Sequence, residues 1–266
     1  MKKVHNGFTI IEVTLFLAIT GLLFLGVTFG VQSSVFRQRF NDSVQNFSEF
    51  LRNIYAETMN VQNADSGRSN QAIFGKLVTF GEEYNLTGQK VNGEEVFVYD
   101  VVGDVTRDVG GGEGGGTILS ALDGARADVT VKEEGKTRRL AGIVESYKPK
   151  WSARIQPACN SSDCLKPIKA ALLIVRHPNS GTVYTYVMKN KTIPVNDKMR
   201  SPGTVSNILH DYLGGSNFTA EQIDFCINPM GETKYNSRSN VRIIKNARNS
   251  SGVEIYNDDV DKNNCQ

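Results

Sequence analysis

The chain has 266 residues, of which 39% are hydrophobic and 22% are charged, the ordinary composition of a globular protein. This composition excludes a wholly disordered chain and a transporter with many membrane spans. Thirty Lys and Arg against 28 Asp and Glu give a formal charge of +2. A charge this small does not by itself indicate a nucleic-acid or acidic-lipid partner.

The N-terminus combines a short basic segment with a long apolar run. Lys2 and Lys3 precede residues 8–31, in which Glu12 is the only charged residue. A run of about 24 residues is long enough to cross a hydrocarbon core of about 30 Å. It is too long for a secretory signal, and no small-x-small cleavage site follows it. The run predicts a membrane-crossing helix, and a plain single-span anchor is the simplest interpretation.

Glu12 argues against a plain anchor, because a carboxylate deep in lipid costs about 2.5 to 3.5 kcal/mol and calls for a partner. Residues 2–13, KKVHNGFTIIEV, resemble the leader and cleavage junction of type IV pilins and of the pseudopilins of type II secretion. The resemblance implies that a prepilin peptidase cuts after Gly7 and methylates the new amino terminus at Phe8. Glu12 then stands at the position of the glutamate that the family uses in assembly.

Elementary chemistry supplies a reason for each part of this motif. Leader lysines hold the N-terminus in the cytoplasm, and Gly7 gives a protease close access to the backbone. Cleavage turns the amine of Phe8 into a cation, which Glu12 of a neighbouring subunit can neutralise inside an apolar filament core. Such a pair selects the register of the helices even if its net stabilisation is small. The implied partners are prepilin peptidase, other pilins or pseudopilins in a helical filament, and the cytoplasmic membrane before assembly.

After the apolar run the pattern becomes one-sided. Its apolar residues recur at steps of three and four among charged ones: Phe36, Phe40, Val44, Phe47, Leu51 and Ile54. This spacing predicts an amphipathic helix at residues 32–63 that ends in the polar cluster 64–70. The helix-breaking proline of the family, expected near Phe29, is missing, which favours a minor pilin or a pseudopilin. Gly21, Gly26 and Gly30 are expected to loosen the helix instead.

Short β-prone runs separated by turns occupy the rest of the chain. Residues 172–176 and 182–188 predict a hairpin, and residues 207–213 predict a short helix. The other expected strands are 76–80, 96–102, 127–132, 139–147, 223–227, 241–244 and 253–256. We therefore expect an α+β fold in which the long N-terminal helix packs on an antiparallel β-sheet. The expected segments are a leader at 1–7, a span or filament-core helix at 8–31, the amphipathic helix at 32–63 and an exported β-rich domain at 64–266.

The C-terminal part carries a second resemblance. Residues 222–231 (QIDFCINPMG), 241–244 and 250–256 are similar to the closing strands of the H-type pseudopilin and of FimT-like minor pilins. In those proteins a strand ends in a Pro-x-Gly turn, and a last hairpin carries a glycine before its final strand. The similarity covers about 35 residues of common strand and turn chemistry.

The four cysteines all lie beyond residue 150, and none forms a CxxC pair: Cys159, Cys164, Cys226 and Cys265. They predict two disulfides in an exported domain. Three pairings are open, and we favour the local one, Cys159 with Cys164 and Cys226 with Cys265. The second bridge would close a loop of about 40 residues, for which chain entropy gives about 4 kcal/mol. Zinc bound by Cys159, Cys164 and His177 is the alternative, but the spacing fits no known finger.

The sequence contains no recognisable motif for catalysis or cofactor binding. Residues 110–116 are rich in glycine but lack the Lys-Ser/Thr ending of a P-loop, which favours a flexible loop. No histidine lies in a nucleophile motif, and no Gly-x-Ser-x-Gly elbow is present. We therefore expect no enzymatic activity, no cofactor and no metal site.

Residues 234–248 contain five cations and no acid: Lys234, Arg238, Arg242, Lys245 and Arg248. Such a stretch can follow DNA phosphates. The simpler interpretation is a solvated face balanced by Asp258, Asp259 and Asp261, since Tyr235 is the only aromatic there for base stacking.

Together these features predict a structural subunit, a minor pilin or pseudopilin, that starts as a single-pass membrane protein with an external C-terminal domain. After assembly it would lie in a surface pilus or a periplasmic pseudopilus. A DNA- or ligand-binding subunit of an uptake or adhesion pilus is the first alternative. An unprocessed single-span membrane protein is the second.

Overall fold

The computed structural model describes residues 9–60, 71–83, 89–91, 93–104, 118–130, 145–151, 153–157, 167–177, 180–195, 208–213, 217–229 and 239–256. The chain divides into two compact units, Met1–Asp42 and Ser43–Gln266. The described part of the first unit is helical. The second unit contains the end of the same helix and two antiparallel β-sheets, so the fold is α+β.

The described residues contain three α-helices, ten strands and one 3-10 turn. In chain order they are α1 (Ile10–Met59), β1 (Gln71–Phe80), β2 (Val96–Asp104), α2 (Ile118–Gly124), β3 (Asp128–Thr130), β4 (Glu145–Tyr147), β5 (Ala153–Pro157), β6 (Ala170–Arg176), β7 (Val183–Lys189), α3 (His210–Leu213), β8 (Ile223–Pro229), β9 (Ser239–Ile243), the 3-10 turn Ser250–Gly252 and β10 (Val253–Tyr256).

Helix α1 is continuous over its 50 residues. The helix is unbroken at Gly21, Gly26 and Gly30, because a helix tolerates isolated glycines at a cost of about 1 kcal/mol each. The last helical residue is Met59, and the end predicted at residue 63 falls outside the described residues. The last turn of α1 carries no basic residue. Arg176 on β6 instead satisfies a free carbonyl group at the end of the helix: its Nη1 donates to the carbonyl oxygen of Met59 at 3.2 Å.

The first sheet has the strand order β3-β2-β1-β6-β7, and β4 also pairs with β2. Strands β3 and β4 share one edge of β2, because β3 pairs with residues 100–102 and β4 with residues 96–98. The second sheet has the order β10-β9-β8-β5. All these pairings are antiparallel, as expected for a chain of short strands joined by turns.

The central strand β1 contains a β-bulge. The register with β2 shifts between Ile73 and Gly75, which leaves Phe74 as the extra residue. A side chain at Gly75 would meet the carbonyl oxygen of Ile174 at 2.1 Å, closer than any carbon can approach. Only glycine therefore allows β1 and β6 to pair across the bulge.

The second unit's part of α1 packs on both sheets through aromatic side chains. The ring of Phe47 meets Phe80 of β1 edge-on at 6.4 Å and Phe225 of β8 edge-on at 5.5 Å. Phe80 and Phe225 also contact each other at 4.9 Å, and Tyr147 stacks on Phe50 at 4.5 Å. These aromatic rings join the helix to both sheets in one core, since such pairs stabilise beyond their burial alone.

Two polar contacts fasten the same part of α1 to the strands. Arg52 Nη2 donates to the carbonyl oxygen of Val253 on β10 at 2.9 Å. The hydroxyl of Thr185 on β7 donates to the carbonyl oxygen of Ala247 at 2.7 Å and lies 2.8 Å from the hydroxyl of Tyr55. A threonine hydroxyl has one proton, so Tyr55 must be the donor in the second bond.

The opposite face of the first sheet is also covered. Residues from α2 and the α3 region form a core with that face, including Ile118, Leu122, Ile208 and Leu209. Strand β2 is consequently buried at eight successive positions. A strand covered on both faces loses the alternating pattern of an exposed sheet. Helix α2 and strand β5 were not expected from the sequence, whereas the hairpin β6–β7 and the other predicted strands are present in their described parts.

Candidate functional site

The start of α1 is a capping box. The backbone N–H and the hydroxyl of Thr9 both donate to Glu12 Oε2 at 3.1 Å. In return, Thr9 Oγ1 accepts from the backbone N–H of Glu12 at 3.3 Å. The first helical bond joins the N–H of Val13 to the carbonyl oxygen of Thr9 at 3.2 Å. Thr9 is therefore the N-cap and Glu12 the third helical residue, the positions that this motif requires.

The capping box gives Glu12 a local role that the sequence reasoning missed. The pattern Thr-x-x-Glu before an apolar run is legible in the sequence, but Glu12 was interpreted through its cost in lipid and its resemblance to the pilin glutamate and not as a cap. Its carboxylate is also placed where the helix dipole favours negative charge. Gly7 and Phe8, the predicted processing residues, lie outside the described residues.

The helix that follows exposes an apolar surface. Residues Ile10–Thr28 have a mean hydropathy of 2.4, and none of this stretch is buried. It is long and apolar enough to cross a membrane. Its polar hydroxyls are satisfied within the helix: Thr14, Thr20 and Thr28 each donate to a carbonyl oxygen three or four residues earlier. What this surface can do is enter lipid or pack against other apolar helices.

Cys226 on β8 is disulfide-bonded. The other three cysteines, Cys159, Cys164 and Cys265, lie outside the described residues, so the pairing stays a prediction. Cys226 stands opposite Gln156 of β5 and Asn240 of β9 in the sheet register. One end of the disulfide therefore lies on β8, a central strand of the second sheet.

The basic stretch is less open than its sequence indicates. Arg242 Nε contacts Asp224 Oδ1 at 2.5 Å on the neighbouring strand β8, and its guanidinium lies over the ring of Tyr256, 4.5 Å from the centroid. Lys245 and Arg248 are exposed on the turn after β9. Lys234 and Arg238, the remaining two of the predicted set, lie outside the described residues. Asp224 was missed because it is 18 residues away in sequence and reaches Arg242 only through the strand register.

Buried charges in the second unit serve the fold. Lys76 on β1 lies 2.6 Å from Asp100 on β2 and 3.0 Å from Glu57 on α1. Burial of the ammonium lowers the pKa of Lys76, but the hydrogen bond and charge of Asp100, and then those of Glu57, outweigh it and raise this pKa overall. Glu82 is almost fully buried and accepts hydrogen bonds from the hydroxyls of Thr79 and Tyr99. Burial also raises the pKa of Tyr55 to about 12.

Among the described residues, neither the histidines nor the cleft forms a recognisable catalytic or metal-binding site. His210 pairs with Asp123 at 2.6 Å on the surface, and His177 Nδ1 accepts the N–H of Ser180. No group of three or more His, Cys, Asp or Glu side chains in the described ranges is placed to hold a metal ion. A shallow cleft of about 170 Å³ is smaller than most ligand sites. Its lining residues are Ile168, Lys169, Ala170, Lys189, Asn190, Gln222, Ile223 and Asp224.

Comparison of the chain with protein-family models, with curated proteins and with solved structures found no match. The residues and their geometry therefore carry the functional inference.

Proposed function

We propose that this chain is a type IV pilin-like structural subunit, a minor pilin or a pseudopilin. A prepilin peptidase would remove its leader after Gly7, and the mature chain would assemble into a pilus or a secretion pseudopilus through α1. The observation that supports this most is the capping box at Thr9 and Glu12, which places a carboxylate at the very start of a long, exposed and apolar helix.

The exposed helix requires a cover, because so much apolar surface is not stable in water. Before assembly, lipid supplies that cover over Ile10–Thr28. After assembly, the helices of neighbouring subunits supply it. A head-to-tail contact that does not close into a ring produces an open helical filament.

Glu12 then distinguishes a filament subunit from a simple anchor. In a simple anchor, a carboxylate at the third helical position would supply only a cap, which a glutamine also provides, and an interaction with the helix dipole of about 0.3 to 1 kcal/mol. Cleavage after Gly7 would make Phe8 the first residue of the chain. Its cationic amine would then lie one residue before Thr9, close to the start of α1. The carboxylate of Glu12 would neutralise such an amine on a neighbouring subunit as both enter the apolar core.

The second unit fits the external domain of such a subunit. A disulfide at Cys226 belongs in an oxidising compartment, as an exported domain would require. The packing of the later part of α1 on an antiparallel sheet supports the proposal, because the resemblance to pilins implies such a packing. The subunit would act by assembly and not by catalysis, with no cofactor.

The DNA-binding alternative has weaker support. Arg242 is already engaged by Asp224 and Tyr256. Lys245 and Arg248 are the two predicted cations whose exposure the described part of the chain shows. Two phosphate contacts give only weak, salt-sensitive binding.

Leader processing tests the proposal. The full chain is expressed in cells with and without a prepilin peptidase, and its intact mass is measured. We expect the peptidase to remove the first seven residues and add one methyl group. Gly7→Leu should block this step, whereas the matched control Gly21→Leu, at an open position on the helix surface, should be processed normally. A full leader retained in the presence of the peptidase would refute the proposal.

A further inference from the structure

Trp151 is the only tryptophan of the chain, and its backbone is unusual. It is 54% exposed and has a φ of 59°. Left-handed backbone is uncommon for any residue with a side chain and is a true outlier for a bulky one. Glycine adopts this conformation freely. An exposed aromatic ring on strained backbone makes this position a candidate for a role in binding.

The turn that carries the tryptophan is held in place from both sides. The carbonyl oxygen of Lys150 accepts from the N–H of Ala153 at 3.1 Å and from the hydroxyl of Ser43 at 3.3 Å. Just before the turn, Tyr147 stacks on Phe50 of α1. The backbone that presents the indole is therefore fixed in advance, which reduces the entropy that binding would cost.

The same turn carries two cations. Lys148 and Lys150 are exposed, and neither forms an ion pair with any described residue. Arg154, three residues after Trp151, differs because it pairs with Glu94 at 2.7 Å. The turn thus presents an indole beside two exposed ammonium groups.

We propose that this basic tryptophan turn, defined by Lys148, Lys150 and Trp151, binds the head groups of anionic phospholipids. Indole rings concentrate at the membrane interface, where an apolar body and a polar N–H are both satisfied. Each lysine near an anionic surface raises affinity about fivefold, or about thirtyfold for the two. The apolar stretch Ile10–Thr28 would keep the domain tethered to a bilayer, so a weak contact is enough. The proposal requires the membrane span of the proposed function but not the processing of the leader.

The test uses the full chain, in which all tryptophan fluorescence comes from Trp151. The protein is reconstituted into vesicles of phosphatidylcholine alone or mixed with phosphatidylglycerol, each with and without brominated lipid. We expect a blue shift and quenching by brominated lipid only in the anionic vesicles. Salt at about 1 M should abolish both, because it shortens the Debye length to about 3 Å.

Charge variants show whether the turn itself is responsible. In anionic vesicles, the double variant Lys148→Ala, Lys150→Ala should be quenched by brominated lipid no more than the wild type is in neutral vesicles. The matched control, Lys245→Ala with Arg248→Ala, removes the same charge and should leave quenching unchanged. Those two residues follow β9, at the opposite end of the second sheet from the turn before β5.

Three results would overturn the proposal. The first is Trp151 fluorescence that iodide in the aqueous phase quenches and brominated lipid does not, in both kinds of vesicle. The second is an emission change that occurs only when subunits assemble, which would make the turn a protein contact. The third is undiminished quenching in the Lys148→Ala, Lys150→Ala double variant, which would show that the two lysines do not direct the contact. A failure of leader processing would refute the proposed function and leave the quenching unchanged.

Discussion

Three substitutions separate the two roles of Glu12, capping the helix and carrying a charge. Glu12→Gln keeps a side-chain acceptor for Thr9 but removes the charge, and Glu12→Ala removes both. Thr9→Val keeps the charge but removes the hydroxyl, which takes part in two of the three hydrogen bonds of the box. An N-terminal cap is worth about 1 kcal/mol, or about fivefold in an equilibrium constant.

Two measurements follow from these numbers. Hydrogen exchange of the amides at residues 10–13 in detergent micelles reports the cap, and the share of each variant in sheared filaments reports assembly. We expect Glu12→Gln to exchange only slightly faster than the wild type, because it keeps the cap but loses the interaction with the helix dipole, and to assemble poorly. Thr9→Val should exchange about fivefold faster and assemble nearly normally. Glu12→Ala should show both defects while remaining in the membrane, where loss of the carboxylate is favourable.

The outcome that refutes this reasoning is a Glu12→Gln subunit that enters filaments as well as the wild type. The charge would then be unnecessary, and pairing with the amine of Phe8 would be wrong. Equal assembly defects in Thr9→Val and Glu12→Ala would show instead that the cap itself is needed for filament entry.

Three further predictions concern the second unit. Tyr55→Phe should lower the free energy of unfolding by about 1 kcal/mol in a denaturant titration. The wild type should also lose stability between pH 10 and 12, because burial raises the pKa of Tyr55 to about 12 while the unfolded tyrosine ionises near 10; an equally steep alkaline loss in Tyr55→Phe would contradict this. Lys76→Met should cost about 3 kcal/mol by leaving the buried Asp100 without its cation, and Lys76→Met with Asp100→Leu should recover much of that loss. DNA affinity of the full chain in detergent should be weak and change little in Lys245→Ala with Arg248→Ala; a salt slope reduced by about two units would favour the DNA-binding alternative.

Local sequence patterns predict the elements whose signals are local. The part of helix α1 after Phe36 has a 3.6-residue apolar period, and the hairpin β6–β7 has a turn whose Gly181 adopts a φ of +69°. Helix α2 escaped prediction because its seven residues give too short a period to read, and β5 because it is short and ends in a proline. Short elements take their structure from tertiary packing more than from propensity.

The pairings of charged residues could not be predicted, because they depend on strand register. Lys76 stands opposite Asp100 only in the β1–β2 register, and a shift of one residue would turn the two side chains to opposite faces. Arg242 and Asp224 meet by the same rule across β8 and β9. The box of Thr9 and Glu12 is different, since both residues lie within one helical turn and the pattern is legible in the sequence.

The fastening of the end of α1 has a mechanical consequence. Tyr55 and Arg176 tie it to the first sheet, and Arg52 ties it to the second. A pulling force applied along the axis of α1 in the second unit would act on these hydrogen bonds and on the ring contacts of Phe47 at the same time. The contacts would be loaded in shear and would not break one after another. Elements loaded in this way resist extraction better than a hairpin that unzips, so tension would reach both sheets at once before the helix could slide free.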